Sequence, residues 1–215
     1  SACLVGSEMC IRDSPECGRD ISDKAQSCPA CGCPITTENH IQVNTVYFGK
    51  YPQNEPLEWI ELNSVGRVTS LITRKCIAFS IYDYDTQVPV EWENSFLRKW
   101  LNTTFYNSAF SPTERNLMCN YKLKNGASDK VTLLSNSDVE DAFGSQEERI
   151  AGAIDFAKLH QKCDLENHNE QYPWWLRGNQ LLRPLVLSNG EILNWVDSKL
   201  NDKLVGVRPV IFVLH

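Results

Sequence analysis

Trp174-Trp175-Leu176-Arg177-Gly178, answered near the chain end by Gly206-Val207-Arg208-Pro209-Val210, constrains the fold more than any other stretch of this sequence. Two adjacent indoles, an arginine after a leucine, and a second arginine between apolar neighbours imply a packed platform with both guanidinium groups held by the fold. Trp174, Trp175, Arg177 and Arg208 are therefore the candidate ligand-binding residues: indoles supply contact area, and guanidinium groups supply directed donors. The competing reading keeps the same groups internal, with each arginine tying strands together through carbonyls or a carboxylate. Both readings place the two segments on neighbouring strands.

The rest of the composition narrows the function class. A length of 215 residues accommodates one sizeable core and a small appendage. A formal charge of -6 without a basic run argues against a general nucleic-acid binder, because neutralising phosphates needs a basic face. No apolar run approaches the roughly 20 residues that span a bilayer, and no charged, apolar and small-residue order marks a secretory leader. Of the nine cysteines, four fall between Cys17 and Cys33, whereas Cys76, Cys119 and Cys163 stand alone. Clustered cysteines read as metal ligands and isolated ones as small buried hydrophobes in a reducing compartment, so the expected location is cytoplasmic.

The sequence divides into four parts. Within residues 1–14, Leu4 to Ser14 resembles a translated transposase adapter from sequencing-library preparation, which leaves this stretch out of fold reasoning. Residues 15–35 carry two C-P-x-C-G knuckles, the first with Ser14 where its leading cysteine belongs. In such knuckles backbone amides point at a thiolate, and glycine takes the positive φ of the turn. They resemble a short zinc ribbon, here truncated, with Cys17, Cys28 and Cys31 as ligands of a structural zinc and Cys33, Cys10 or His40 as possible fourth donors. Residues 36–45 are polar and aperiodic, hence a linker. Residues 46–215 form the main domain.

Within that domain, short alternating segments at 46–49, 57–62 and 68–72 predict a three-stranded opening sheet, continued by Cys76 to Ile81. Phe96, Leu97, Trp100, Leu101 and Phe105 share one helical face behind a cap at Asn94 or Ser95. Ser111-Pro112-Thr113-Glu114 is a capping box with proline at the first helical position. A strand is expected over 131–134, a helical turn opening at Ser137, and a helix from the box at Ser145–Glu148 through Leu159. His160, Cys163 and His168 near its end admit a second metal site or a favourable interaction with the helix dipole. Leu185 to Leu193 reads as a hairpin turning at Asn189-Gly190, and Val205 to Leu214 as a closing strand that Pro209 confines to an edge or bulge.

The motifs Tyr47-Phe48-Gly49-Lys50-Tyr51-Pro52-Gln53, Pro56-Leu57-Glu58-Trp59-Ile60, Leu97-Arg98-Lys99-Trp100-Leu101, Asp129-Lys130-Val131, Trp174-Trp175-Leu176-Arg177 and Gly206-Val207-Arg208-Pro209 together resemble an uncharacterised bacterial domain family, often preceded by a zinc ribbon. More distantly, the last strands are similar to C-type-lectin-like folds, including formylglycine-generating enzymes, although Gly178-Asn179-Gln180 replaces the Ser-Pro-Gly common after the tryptophan pair. The resemblance implies an α+β fold: a C-type-lectin-like mixed sheet with flanking helices behind the truncated ribbon. It also implies a non-catalytic binding or interaction module for a carbohydrate, peptide or protein partner. Two alternatives stay open. A formylglycine-type cysteine oxidoreductase would use Cys76 or Cys119 as a reactive thiol. A regulatory or scaffold protein would dock its partner through the ribbon.

Overall fold

The computed structural model describes residues 11–13, 17, 19–22, 29–31, 45–85, 90–123, 126–178, 183–195 and 200–215. The chain separates into two compact units, Ser1–Val43 and Asn44–His215. In the first, β1 (Ile11–Asp13) pairs antiparallel with β2 (Asp20–Ser22), Ile11 lying opposite Ser22. Residues 11–13, inside the stretch that resembles an adapter, thus make a strand. Cys17 and Cys31 are exposed turn residues. Cys28 and the candidate fourth donors Cys10, Cys33 and His40 lie outside the described residues, as does Ser14.

The second unit opens with an antiparallel meander: β3 (Thr45–Lys50), β4 (Pro56–Val65) and β5 (Val68–Thr73). Gly66, at φ +62°, makes the tight β4–β5 turn that a side chain would strain. β6 (Ala78–Ser80) then leaves this sheet. Helix α1 (Phe96–Trp100) runs through a π-helical turn at Leu101–Phe105 into α2 (Tyr106–Ala109), followed by α3 (Pro112–Leu117). The small ladder β7 (Tyr121–Lys122) with β8 (Ser128–Asp129) precedes α4 (Asn136–Ala142) and α5 (Asp155–His160). β9 (Trp174–Trp175), β10 (Arg183–Val186), β11 (Ile192–Trp195), β12 (Val205–Val207) and β13 (Val210–Leu214) complete the chain.

Two curled, mainly antiparallel sheets result, one ordered β11-β10-β9-β12-β6 and the other β13-β5-β4-β3. The chain passes between them twice, from β5 to β6 and from β12 to β13. With few and short helices, the architecture is mixed α+β. Pro209 marks the second crossing: β12 is interior to its sheet, between β9 and β6, and β13 is the edge of the other. The expected single closing strand is thus two, because proline ends one ladder as the backbone turns into the next.

Local signals set several boundaries. Ser95 caps α1, its hydroxyl accepting from the Arg98 amide. Ser111 and Glu114 form the reciprocal box with Pro112 leading the helix, and the second oxygen of Glu114 accepts from the Gly49 amide at 2.9 Å. Other expectations are corrected. The cap of α4 is Ser135, boxed with Asp138, and not Ser137. Residues 131–134 contribute only one bridge, Thr132 to Val210. The box expected at Ser145 starts no long helix; a short 3-10 turn at Glu147–Arg149 gives way to extended chain. There the Cys76 amide donates to the Gly152 carbonyl and the Ile154 amide to the Cys76 carbonyl, so a bridge to the neighbouring strand overrides helical periodicity. The β10–β11 connection is wider than an Asn-Gly turn, since Leu187 bonds Glu191 and only Gly190 takes positive φ. A Cβ on Gly190 would sit 2.0 Å from the Gln146 carbonyl oxygen.

Candidate functional site

The two segments that organise the sequence lie side by side: Gly206 on β12 pairs in parallel with Trp174 on β9. Successive strand residues face opposite ways, and here both faces of the sheet are covered. Trp175 enters the core made with Trp59, Trp92, Phe105 and Tyr82, and Trp174 enters a second core with Cys76, Phe79 and Phe143. Both indoles are at 0% exposure, so neither ring face is open to a ligand. Their N–H groups are answered inside, Trp174 by the Arg149 carbonyl at 3.0 Å and Trp175 by the Ser80 carbonyl at 2.8 Å.

Arg208 is equally interior. At the corner between the sheets, its Nε donates to the Thr73 carbonyl at 3.0 Å and one terminal nitrogen to the Arg149 carbonyl at 3.3 Å. Its guanidinium lies 4.8 Å from the Trp174 ring centre, and burial pulls its pKa down to about 10. This is the strand-tying role, carried by carbonyls and ring faces with no carboxylate partner among the described residues. A second buried arginine, Arg183, donates to Asn201 and lies over Tyr82.

Of the four sequence candidates, Arg177 alone reaches a cleft. It opens to about 440 Å³ between α4 and the face of the four-stranded sheet, with Tyr121, Asp138, Asp141, Arg177 and Phe212 among its walls. One terminal nitrogen of Arg177 donates to the Thr132 hydroxyl and the Leu133 carbonyl, both at 3.1 Å. The other donates to the Tyr121 hydroxyl at 3.1 Å and to Asp138 at 3.0 Å. That Asp138 oxygen also accepts from the Ser135 amide at 2.7 Å, so the box that starts α4 orients the guanidinium. The guanidinium sits 4.8 Å from the Tyr121 ring centre, and Tyr121 stacks on Phe212 at 5.1 Å and 14°. Four acceptors occupy the four terminal N–H donors of Arg177. It fixes the cleft floor, and the aromatic pair, the Tyr121 O–H and the exposed Asp141 carboxylate complete the walls.

Tyr121, Asp141 and Phe212 escaped the sequence reading, since isolated polar and aromatic residues on three separate elements carry no spacing signal. Asp138 was visible only as a helix opener. A second cluster also joins two motifs: buried Asp129 accepts from Arg98 Nε at 2.6 Å and from the Trp92 indole at 2.8 Å. Asn102, in the π turn, donates to the Val131 carbonyl and accepts from the Lys130 amide. These groups satisfy one another and hold structure.

Among the cysteines, Cys76 is fully buried and burial pushes its thiol up to about 12, so it is uncharged at neutral pH. Its sulfur packs against Gly206, where a Cβ would approach to 2.6 Å. Cys163 is buried and likewise raised by burial. Among the described residues no three His, Cys, Asp or Glu side chains cluster as a metal would require, and His160 instead stacks on Phe156 at 4.1 Å.

The geometry therefore defines an α+β domain with an organised cleft beside its four-stranded sheet. Residues 68–214 match the model of a domain of unknown function, DUF6273, and the chain belongs to that family. No curated protein matches, and no solved structure does. Among the described residues no helix is long and apolar enough to cross a membrane.

Proposed function

We propose that the chain is a non-catalytic binding module, C-type-lectin-like in its last strands, whose carbohydrate or peptide ligand lies in the cleft over Arg177. One observation carries this reading: the terminal donors of Arg177 are spent internally, so a stacked aromatic pair is held rigid beside an uncommitted carboxylate. A sugar ring or a peptide side chain stacks on Tyr121 and Phe212, while Asp141 accepts from its hydroxyl or amide groups. The Tyr121 hydroxyl, already accepting from Arg177, offers its proton outward. Trp174, Trp175 and Arg208 then act as the support behind the floor.

Titration with mono- and disaccharides and with short peptides, followed through the Tyr121 and Phe212 ring resonances, tests the proposal. At least one probe shifts both rings, and Asp141→Ala weakens it about tenfold, as loss of a charge-assisted hydrogen bond does. Binding unchanged in that variant, or no response to any probe, sinks it. Against the cysteine-oxidoreductase alternative, the Cys76 thiol has neither a cleft nor a thiolate.

The ribbon alternative rests on different residues. By their sequence spacing, Cys17, Cys28 and Cys31 would supply three thiolates to a structural zinc; Cys17 and Cys31 are exposed, and Cys28 lies outside the described residues. Restoring a fourth thiolate with Ser14→Cys should tighten zinc at least about tenfold in a chelator competition, because tetrahedral structural sites want four ligands. Equal affinities would remove the ribbon reading.

A further inference from the structure

A second cavity, of about 410 Å³, lies at the end of the four-stranded sheet beneath the Tyr51–Glu55 turn. Its walls come from the sheet end (Thr73, Lys75), the turn (Tyr51) and the start of α5 (Asp155, Phe156). Thr73 ends β5, Lys75 follows in a bend, and both line the cavity. Between them, Arg74 pairs at 3.4 Å with Glu58, itself a wall residue of the cavity.

Thr73 is 1% exposed, and its hydroxyl has no hydrogen-bond partner among the described residues. Its backbone is fully engaged, the amide donating to the Pro209 carbonyl and the carbonyl accepting from Arg208. A buried hydroxyl left this way is costly unless something that enters the cavity answers it. The rim is charged with both signs. Asp155 pairs with Lys158 at 3.0 Å, and Lys75 acts on its carboxyl electrostatically without forming an ion pair with it. Tyr51 and Phe156 offer apolar wall between these charges.

We propose that this cavity binds a free amino acid with an apolar side chain. The ligand carboxylate meets the Lys75 ammonium and the Thr73 hydroxyl, its ammonium meets Asp155, and its side chain lies against Tyr51 and Phe156. The site is separate from the Arg177 cleft and shares none of these residues with it. Opposite charges across an apolar wall suit a zwitterion, and Glu55 and Glu58 on the same wall add acceptors for its ammonium.

Calorimetry and thermal unfolding of the full chain with L-leucine and L-phenylalanine test the assignment, with N-acetyl-leucine and leucinamide as controls. A free amino acid binds and raises the unfolding midpoint, and either cap weakens binding about tenfold by removing one charge. Lys75→Met, on the exposed rim, weakens it about as much without changing the fold. Thr73→Val weakens it too, yet raises the midpoint of the ligand-free protein, because it removes a polar group that has no partner. Millimolar leucine and phenylalanine leaving the protein unchanged, caps that bind as well as the free amino acid, or undiminished binding in Lys75→Met would each overturn the proposal. So would a lowered midpoint in ligand-free Thr73→Val, which would mean the hydroxyl is already satisfied.

Discussion

Arg208 and Arg177 come from the two segments that organise the sequence, and their surroundings differ in a way that assigns their roles. Arg208 is enclosed at the corner where the chain changes sheets, held by two backbone carbonyls and the Trp174 face. Arg177 keeps 12% of its side chain exposed and shares its charge with Asp138, whose side chain is 37% exposed. The same guanidinium serves as a fastener where backbone acceptors converge and as the floor of a cleft where side-chain acceptors do. What separates the two is whether the next shell is core or solvent. The fastener bears a cost, because full burial disfavours its charged form, whereas a partly exposed pair is screened and contributes little to stability.

The largest effect is expected at the corner. Arg208→Ala should destabilise the domain by about 4 kcal/mol in urea unfolding, since it orphans carbonyls and empties space beside Trp174. Arg208→Met should cost only about 1–2 kcal/mol, because it refills that volume and removes an uncompensated buried charge. Equal losses in the two variants would mean that hydrogen bonds, and not packing, close the corner.

A smaller effect separates the regions by pH. Cys76, beside Arg208, has its thiol raised from 9.0 to about 12. Below pH 9 the thiol is protonated in both states. Above it the unfolded chain releases a proton that the folded chain retains, so stability falls from pH 9 toward 12 by about 1 kcal/mol per pH unit. Tyr82, raised from 10.0 to about 12, adds to the loss, while Arg208, lowered from 12.5 to about 10, opposes it from about pH 10 upward. Between pH 9 and 10 the slope comes from the raised thiols, Cys76 and Cys163, so Cys76→Ala should reduce it and the further change Cys163→Ala should flatten it; a slope unchanged by Cys76→Ala would place the titration elsewhere.

The smallest effect lies at the cleft. Asp138→Asn should cost under about 1 kcal/mol, because the pair is partly exposed and the amide still accepts from Ser135. A loss as large as that of Arg208→Ala would erase the distinction between floor and fastener.

Much of the fold was legible where its cause is local. The box at Ser111 and Glu114 and the proline that leads α3 need only neighbours in sequence. The adjacency of β9 and β12 followed from two apolar, arginine-bearing segments. Residues 150–154 were misread because a helical pattern competes with hydrogen bonds to Cys76, far away in sequence. The cleft was half legible. Arg177 stood out by its motif, but Tyr121, Asp141 and Phe212 meet only through the packing of β7, α4 and β13 around it.

Strand periodicity alone sends Trp174 and Trp175 to opposite sides of whatever sheet they join, and that much is in the sequence. Whether either side stays open to a ligand depends on what packs there, and two separate cores cover both. Only the tertiary structure could therefore bury the most conspicuous residues of the chain and leave a tyrosine, a phenylalanine and an aspartate at the cleft. Burial is a property of the assembled layers, whereas capping and alternation belong to the strand or turn itself.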